Sequence, residues 1–180
     1  MTANKIVCVD SCVFISYLKG DDSDRTAEEK ANLNGFFTDF MQGKVHVIFP
    51  TFERSEILAC ELPDGAMDLF DEFIARPNLD EVPTSTGVSK IAADVRNDLW
   101  EKIAINNSLH RLTTPDAIVL ATAIAYKCDF VYTFDGARPT KKDRRLLSFS
   151  GMNLAGYILH IKRPESNETE MILSGGAGGS

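Results

Sequence analysis

Long hydrophobic runs are missing from this 180-residue chain. No stretch approaches the roughly 20 consecutive apolar residues of a membrane-spanning helix, so an integral membrane protein is not expected. Cysteine is scarce: Cys8, Cys12, Cys60 and Cys128 are the only four. None forms a Cys-x-x-Cys pair, and none of the three histidines stands at zinc-like spacing from them, which argues against a zinc module. Three of the four lie in apolar stretches, and all are read as buried, reduced thiols. Positive charge is also short, with 19 Lys and Arg against 26 Asp and Glu and a net charge of −7. That argues against a nonspecific nucleic-acid coat, which would be strongly basic. It leaves room for an enzyme acting on nucleic acid, because acidic metal ligands add negative charge that bound cations offset. The opening Met-Thr-Ala-Asn-Lys runs straight into a short apolar strand. No signal peptide and a cytoplasmic location are therefore expected.

What is present suits a globular enzyme. Hydrophobic residues make up 44% of the chain, enough for a substantial core. Residues 1–165 read as one domain. Residues 166–180, which end in Ser-Gly-Gly-Ala-Gly-Gly-Ser, read as a flexible tail outside the fold.

Along the chain, Lys5 to Val9 is a short β-branched run of the kind buried on both sheet faces. It ends on Asp10-Ser11, and Ser11 is read as the cap of a helix that Gly20 stops. A helix from Thr26 to Gln42 carries Phe36, Phe37 and Phe40 at helical spacing. Val45 to Phe49 is a second strand, and a helix through Glu56 and Ile57 follows Pro50-Thr51. After the Pro63-Asp64-Gly65 turn come a helix through Leu69 and Phe73, an edge strand at Asn78 to Val82, and a long helix with Val88, Val95 and Leu99 on one face. Thr114-Pro115 is a strong helix start. That helix runs to Lys127, followed by a strand from Phe130 to Thr133 and a last strand from Gly156 to Ile161. Alternation of strands and helices predicts an α/β fold: three layers, α/β/α, around a mainly parallel sheet.

Acidic residues stand where such a sheet places its chemistry. Asp10 and Asp135 each follow the end of a strand, and parallel sheets bind ligands outside the carboxyl ends of their strands. Asp116 lies in the first turn of the helix before the Asp135 strand. Each also has a structural reading, as a turn former, a cap or a partner for the helix dipole. Glu56 is the sharper anomaly. It falls one turn after Phe52 and one turn before Cys60, which predicts that it faces the interior or a cleft edge. A carboxylate there calls for a cation. Magnesium and manganese take hard oxygen ligands, and two such ions drive phosphodiester hydrolysis elsewhere.

Four segments then resemble a known family. They are Ile6-Val7-Cys8-Val9-Asp10-Ser11, Ser55-Glu56-Ile57-Leu58, Pro115-Asp116-Ala117-Ile118-Val119-Leu120-Ala121, and Val131-Tyr132-Thr133-Phe134-Asp135. In order and spacing they are similar to the PIN-domain nucleases, which include the VapC-type toxins. The resemblance implies a metal-dependent endoribonuclease using Mg2+ or Mn2+, with Asp10, Glu56, Asp116 and Asp135 as catalytic residues and metal ligands. Ser11 and Thr133 would orient that cluster through their hydroxyls. It also implies an RNA substrate, an antitoxin or other protein partner, and a homodimer. Many relatives carry another acidic or amide residue just after the last Asp. Here Gly136-Ala137-Arg138 follows, which predicts a weakly held second cation.

The basic run Arg138, Lys141, Lys142, Arg144 and Arg145 is positioned to meet an RNA backbone. Tyr17, Phe134 and Trp100 are available for base stacking. His46, His110 and His160 are scattered, and none is expected to be catalytic. Two other readings stand beside the toxin: a PIN nuclease of RNA processing, and a PIN-like scaffold that binds without cleaving. A haloacid dehalogenase-like phosphatase also opens with strand-Asp, but needs a second Asp where Cys12 stands.

Overall fold

The β-branched run that opens the chain becomes the central strand of the sheet, because both of its faces are covered by helices. The computed structural model describes residues 4–20, 25–105, 112–136 and 146–166. The elements in chain order are β1 (Lys5–Val9), α1 (Ser11–Lys19), α2 (Ala27–Met41), β2 (Val45–Pro50), α3 (Glu53–Leu58), α4 (Ala66–Ile74), β3 (Leu79–Val82), α5 (Thr86–Ile105), α6 (Thr114–Ala125), β4 (Phe130–Tyr132), β5 (Asn153–Leu154), β6 (Tyr157–Ile158) and β7 (Ile161–Lys162). A 3-10 turn spans Leu146–Phe149.

Five strands form one sheet in the order β3-β2-β1-β4-β7, and every pairing in it is parallel. The chain builds outward from β1 to β2 and β3, then returns to add β4 on the other side. The switch point of the sheet therefore lies between β1 and β4, where open α/β folds place their ligands. The register sets Val9 opposite Tyr132, so Asp10 and Thr133 leave the sheet side by side.

Each face carries its own core. On one face Phe14 meets Phe49, Phe37 and Phe70 edge-on, at centroid distances of 5.1, 5.5 and 5.6 Å. Such pairs contribute about 0.5–1.5 kcal/mol each beyond area burial. This core joins α1, α2 and α4 to the sheet. On the other face Val88, Val95 and Leu99 of α5 pack with Leu120 of α6, Val131 and Phe149. The two cores with the sheet between them are the three layers expected from the sequence.

The termini of several elements differ from the expectation. Asp10, not Ser11, is the N-cap of α1, with its side chain accepting from the Cys12 amide; a carboxylate there also meets the positive end of the helix. Thr113, not Thr114, caps α6, in a reciprocal capping box with Asp116. The expected final strand from Gly156 to Ile161 is split. Positive φ at Ala155 and Gly156 turns the chain into a small antiparallel hairpin of β5 and β6, and only β7 joins the main sheet. Of the four cysteines, Cys8 alone is buried and the other three are half-buried; all four are free. Among the described residues no helix is long and apolar enough to cross a membrane.

Candidate metal centre

Asp10 sits at the carboxyl end of β1 and is 8% exposed. Its Oδ2 accepts a hydrogen bond from Thr133 Oγ1 at 2.5 Å and lies 3.2 Å from the Cys12 thiol. The amide of Asp10 donates to the Tyr132 carbonyl at 3.0 Å. The end of β4 thus fixes both the backbone and the carboxylate of the first acidic residue. Thr133 is fully buried, and its hydroxyl also accepts from the Asp135 amide at 2.8 Å. One hydroxyl therefore links Asp10 to Asp135.

Helix α3 brings two more carboxylates to the same place. Pro50 ends β2, and α3 starts within one turn of it. Glu53 Oε2 accepts from the Ser11 amide at 2.6 Å. Glu56 Oε2 accepts from Ser11 Oγ at 2.5 Å, and the same hydroxyl lies 3.3 Å from Asp10 Oδ1. One carboxylate oxygen from each of Asp10, Glu53 and Glu56 falls in a group whose members are all within 4.8 Å of one another. Among the described residues no lysine or arginine forms an ion pair with any of the three.

Of the two orientations expected of Glu56, the interior and a cleft edge, it takes the edge, at the open rim of this group. Glu56 is exposed, and the buried carboxylate of α3 is Glu53. The alignment of Glu56 with Phe52 and Cys60 picked a face that is only half-buried. The truly buried line is Glu53 and Ile57, four residues apart. That i, i+4 spacing from Ile57 was the signal that marked Glu53.

The energetics of Glu53 follow from its place. Burial pushes its carboxyl up to about 9, the charge of Asp10 adds to this, and the hydrogen bonds from Ser11 oppose it. Cys12 is raised as well, first by burial and then by Asp10. Its sulfur accepts from the Phe134 amide at 3.1 Å.

The remaining expected residues stand differently. Asp116 is half-buried, and its Oδ2 is taken by its own helix start: the Thr113 hydroxyl donates to it at 2.5 Å and the Thr113 amide at 3.3 Å. Asp135 Oδ2 accepts from the Leu146 amide at 3.1 Å. Neither is in the group of three. Arg138, Lys141, Lys142, Arg144, Arg145 and His110 lie outside the described residues. Phe134 is 4% exposed with the Arg25 guanidinium 3.9 Å above its ring, and Tyr17 stacks on Phe37 at 3.8 Å. Trp100 alone of the three proposed stacking residues is well exposed, at 40%. His46 pairs with Asp80 across β2 and β3, and His160 is exposed.

The donor set fits a hard divalent cation. It is all oxygen, rich in negative charge and poor in countercharge. It grades from buried Glu53 to exposed Glu56, which gives an ion a way in from solvent.

Comparison with known proteins agrees with this architecture. The chain resembles the solved structure of VapBC2 from Rickettsia felis bound to a DNA fragment from its promoter, with 12% identity, a TM-score of 0.54, and coverage of 87% of this chain and 98% of that one. It resembles FitAcB from Neisseria gonorrhoeae with 15% identity, a TM-score of 0.52, and coverage of 88% and 97%. At these identities the likeness is one of fold. No curated protein matches the sequence. The PIN domain model matches residues 7–139, the stretch that runs from β1 through the carboxylates to just past Asp135, and the chain belongs to the PIN domain family.

Proposed function

We propose that this PIN-domain chain is a divalent-metal-dependent endoribonuclease. The observation that carries the reading is the convergence of Asp10 with the two α3 carboxylates at the switch point of the sheet, without a basic partner among the described residues. Three carboxylates within 4.8 Å repel one another strongly in a partly buried place, and a cation relieves that repulsion. The proposed ligands and catalytic residues are Asp10, Glu56, Asp116 and Asp135, with Mg2+ or Mn2+ as the ion. Ser11 and Thr133 hold the carboxylates in place through the hydrogen bonds described above.

When bound, such an ion supplies a water of lowered pKa and neutralises charge on the scissile phosphate. The chain supplies orientation. Asp10 is fixed from two sides, by its own helix start and by Thr133. Hydrolysis joins a water oxygen to phosphorus and breaks the bond to O3′, leaving a 5′-phosphate and a 3′-hydroxyl. No side-chain nucleophile is required. Arg138, Lys141 and Lys142 follow Asp135 directly in sequence and are proposed to meet the RNA backbone.

The likeness in fold to VapBC2 and FitAcB supports a toxin role, with a small protein antitoxin as partner. Incubation with labelled single-stranded RNA and Mn2+ tests the activity. Cleavage is expected from the unmodified protein, and none with EDTA or from Asp116→Asn. Cleavage that persists in EDTA would sink the metal mechanism.

A further inference from the structure

The four acidic residues expected from the sequence omit Glu53, yet Glu53 is the most deeply placed carboxylate at the site, 2% exposed against 8% for Asp10. It occupies the face of α3 that also buries Ile57, a position that an apolar side chain fills at no electrostatic penalty. Its Oε2 accepts from the Ser11 amide at 2.6 Å, and its carboxylate faces those of Asp10 and Glu56.

Resting on the metal-dependent reading above, we propose that Glu53 is a direct ligand of the cation, forming the inner wall of a site whose other walls are Asp10 and Glu56. Three observations support this. The carboxylate oxygens of these three residues, and not those of Asp116 or Asp135, make up the close group among the described residues. One oxygen of Asp116 is engaged by its own helix start and one of Asp135 by the Leu146 amide, so each is tied to local structure on the far side of the site. And a purely structural clamp on the Ser11 amide would be served equally by a neutral acceptor, whereas a carboxylate beside two others also offers an anionic oxygen to a hard cation.

The same comparison gives the test. Glu53→Gln keeps the acceptor for Ser11 and loses the charge. Mn2+ binding to the full-length protein, stripped of metal with EDTA and then dialysed, is measured by calorimetry and by the loss of the free Mn2+ electron paramagnetic resonance signal. Melting of the metal-free proteins is measured alongside. Glu53→Gln is expected to weaken Mn2+ binding at least tenfold while melting at or above the unmodified protein. Asp10→Asn weakens it as much or more, and Asp116→Asn less than Glu53→Gln. Glu53→Leu, which fills the space with an apolar side chain, loses binding in the same way and stands in if the glutamine variant does not fold. Unchanged Mn2+ affinity in Glu53→Gln, with loss in Asp10→Asn, overturns the ligand role of Glu53 and leaves the nuclease reading intact. No Mn2+ binding by the unmodified protein overturns both.

Discussion

The two sides of the carboxylate site use the same chemistry to different ends. On the α1–α3 side, Asp10, Glu53 and Glu56 converge, and their donors are two amides, three hydroxyl or thiol groups and no cationic side chain among the described residues. On the α6–β4 side, Asp116 closes a capping box and Asp135 accepts the amide of Leu146. An aspartate held by its own helix start contributes to folding whether or not metal is present. A carboxylate facing two others weakens the fold until a cation arrives. The α6–β4 side is therefore supported by local structure, and the α1–α3 side, where Asp10 likewise caps α1, carries the mutual repulsion of three clustered carboxylates as well.

The largest effect that sharpens this contrast is expected from Asp10→Asn. It removes the charge that both sides share, and should lower RNA cleavage on the order of a thousandfold, about 4 kcal/mol of transition-state stabilisation, in a Mn2+ assay. Thr133→Val cuts the link between the sides by removing the hydroxyl that donates to Asp10 and accepts from the Asp135 amide. Loss of such a supporting hydrogen bond is expected to reduce metal affinity or activity about 10- to 100-fold. A cleavage rate unchanged in Thr133→Val would break the idea that the two sides act as one site.

Stability against pH separates the sides without any assay of activity. The carboxyl of Glu53 is raised from its ordinary 4.5 to about 9 in the folded protein. The folded state therefore holds this proton more tightly than the unfolded chain does. The resulting stabilisation is fully present below the lower value and is lost as pH rises to the upper one. The melting temperature of metal-free protein should fall between about pH 5 and pH 9, and Glu53→Gln should flatten that slope. The smallest effect is expected at Thr113→Ala, which opens the α6 capping box. It should destabilise the protein by about 1 kcal/mol in urea melts, and equally at both ends of that pH range.

Much of this was legible in the chain before its structure. The run Ile-Val-Cys-Val before Asp10 announced a doubly covered strand, and the alternation of elements announced the parallel sheet. Asp10 and Asp135 were visible because strand ends are punctuated by turn chemistry. Glu53 was not, because a six-residue helix offers less than two turns of periodicity, and two faces compete on so little pattern. Phe52 and Cys60 suggested one face, and Ile57 decided for the other through long-range packing. The hairpin at Asn153 to Ile158 was missed for a related reason. Its residues are as apolar as a strand, and only the left-handed backbone at Ala155 and Gly156 reveals the turn.

The seating of β4 beside β1 also governs when the site comes into being. Asp10 and Thr133 are 123 residues apart in sequence, and contacts of such separation form late in folding. On a ribosome, Asp10, Glu53 and Glu56 emerge early, while the strand that pins Asp10 is still unmade. The growing chain thus carries its acidic residues through synthesis without the hydroxyl that aligns them, and the complete site is assembled only after Thr133 has left the exit tunnel.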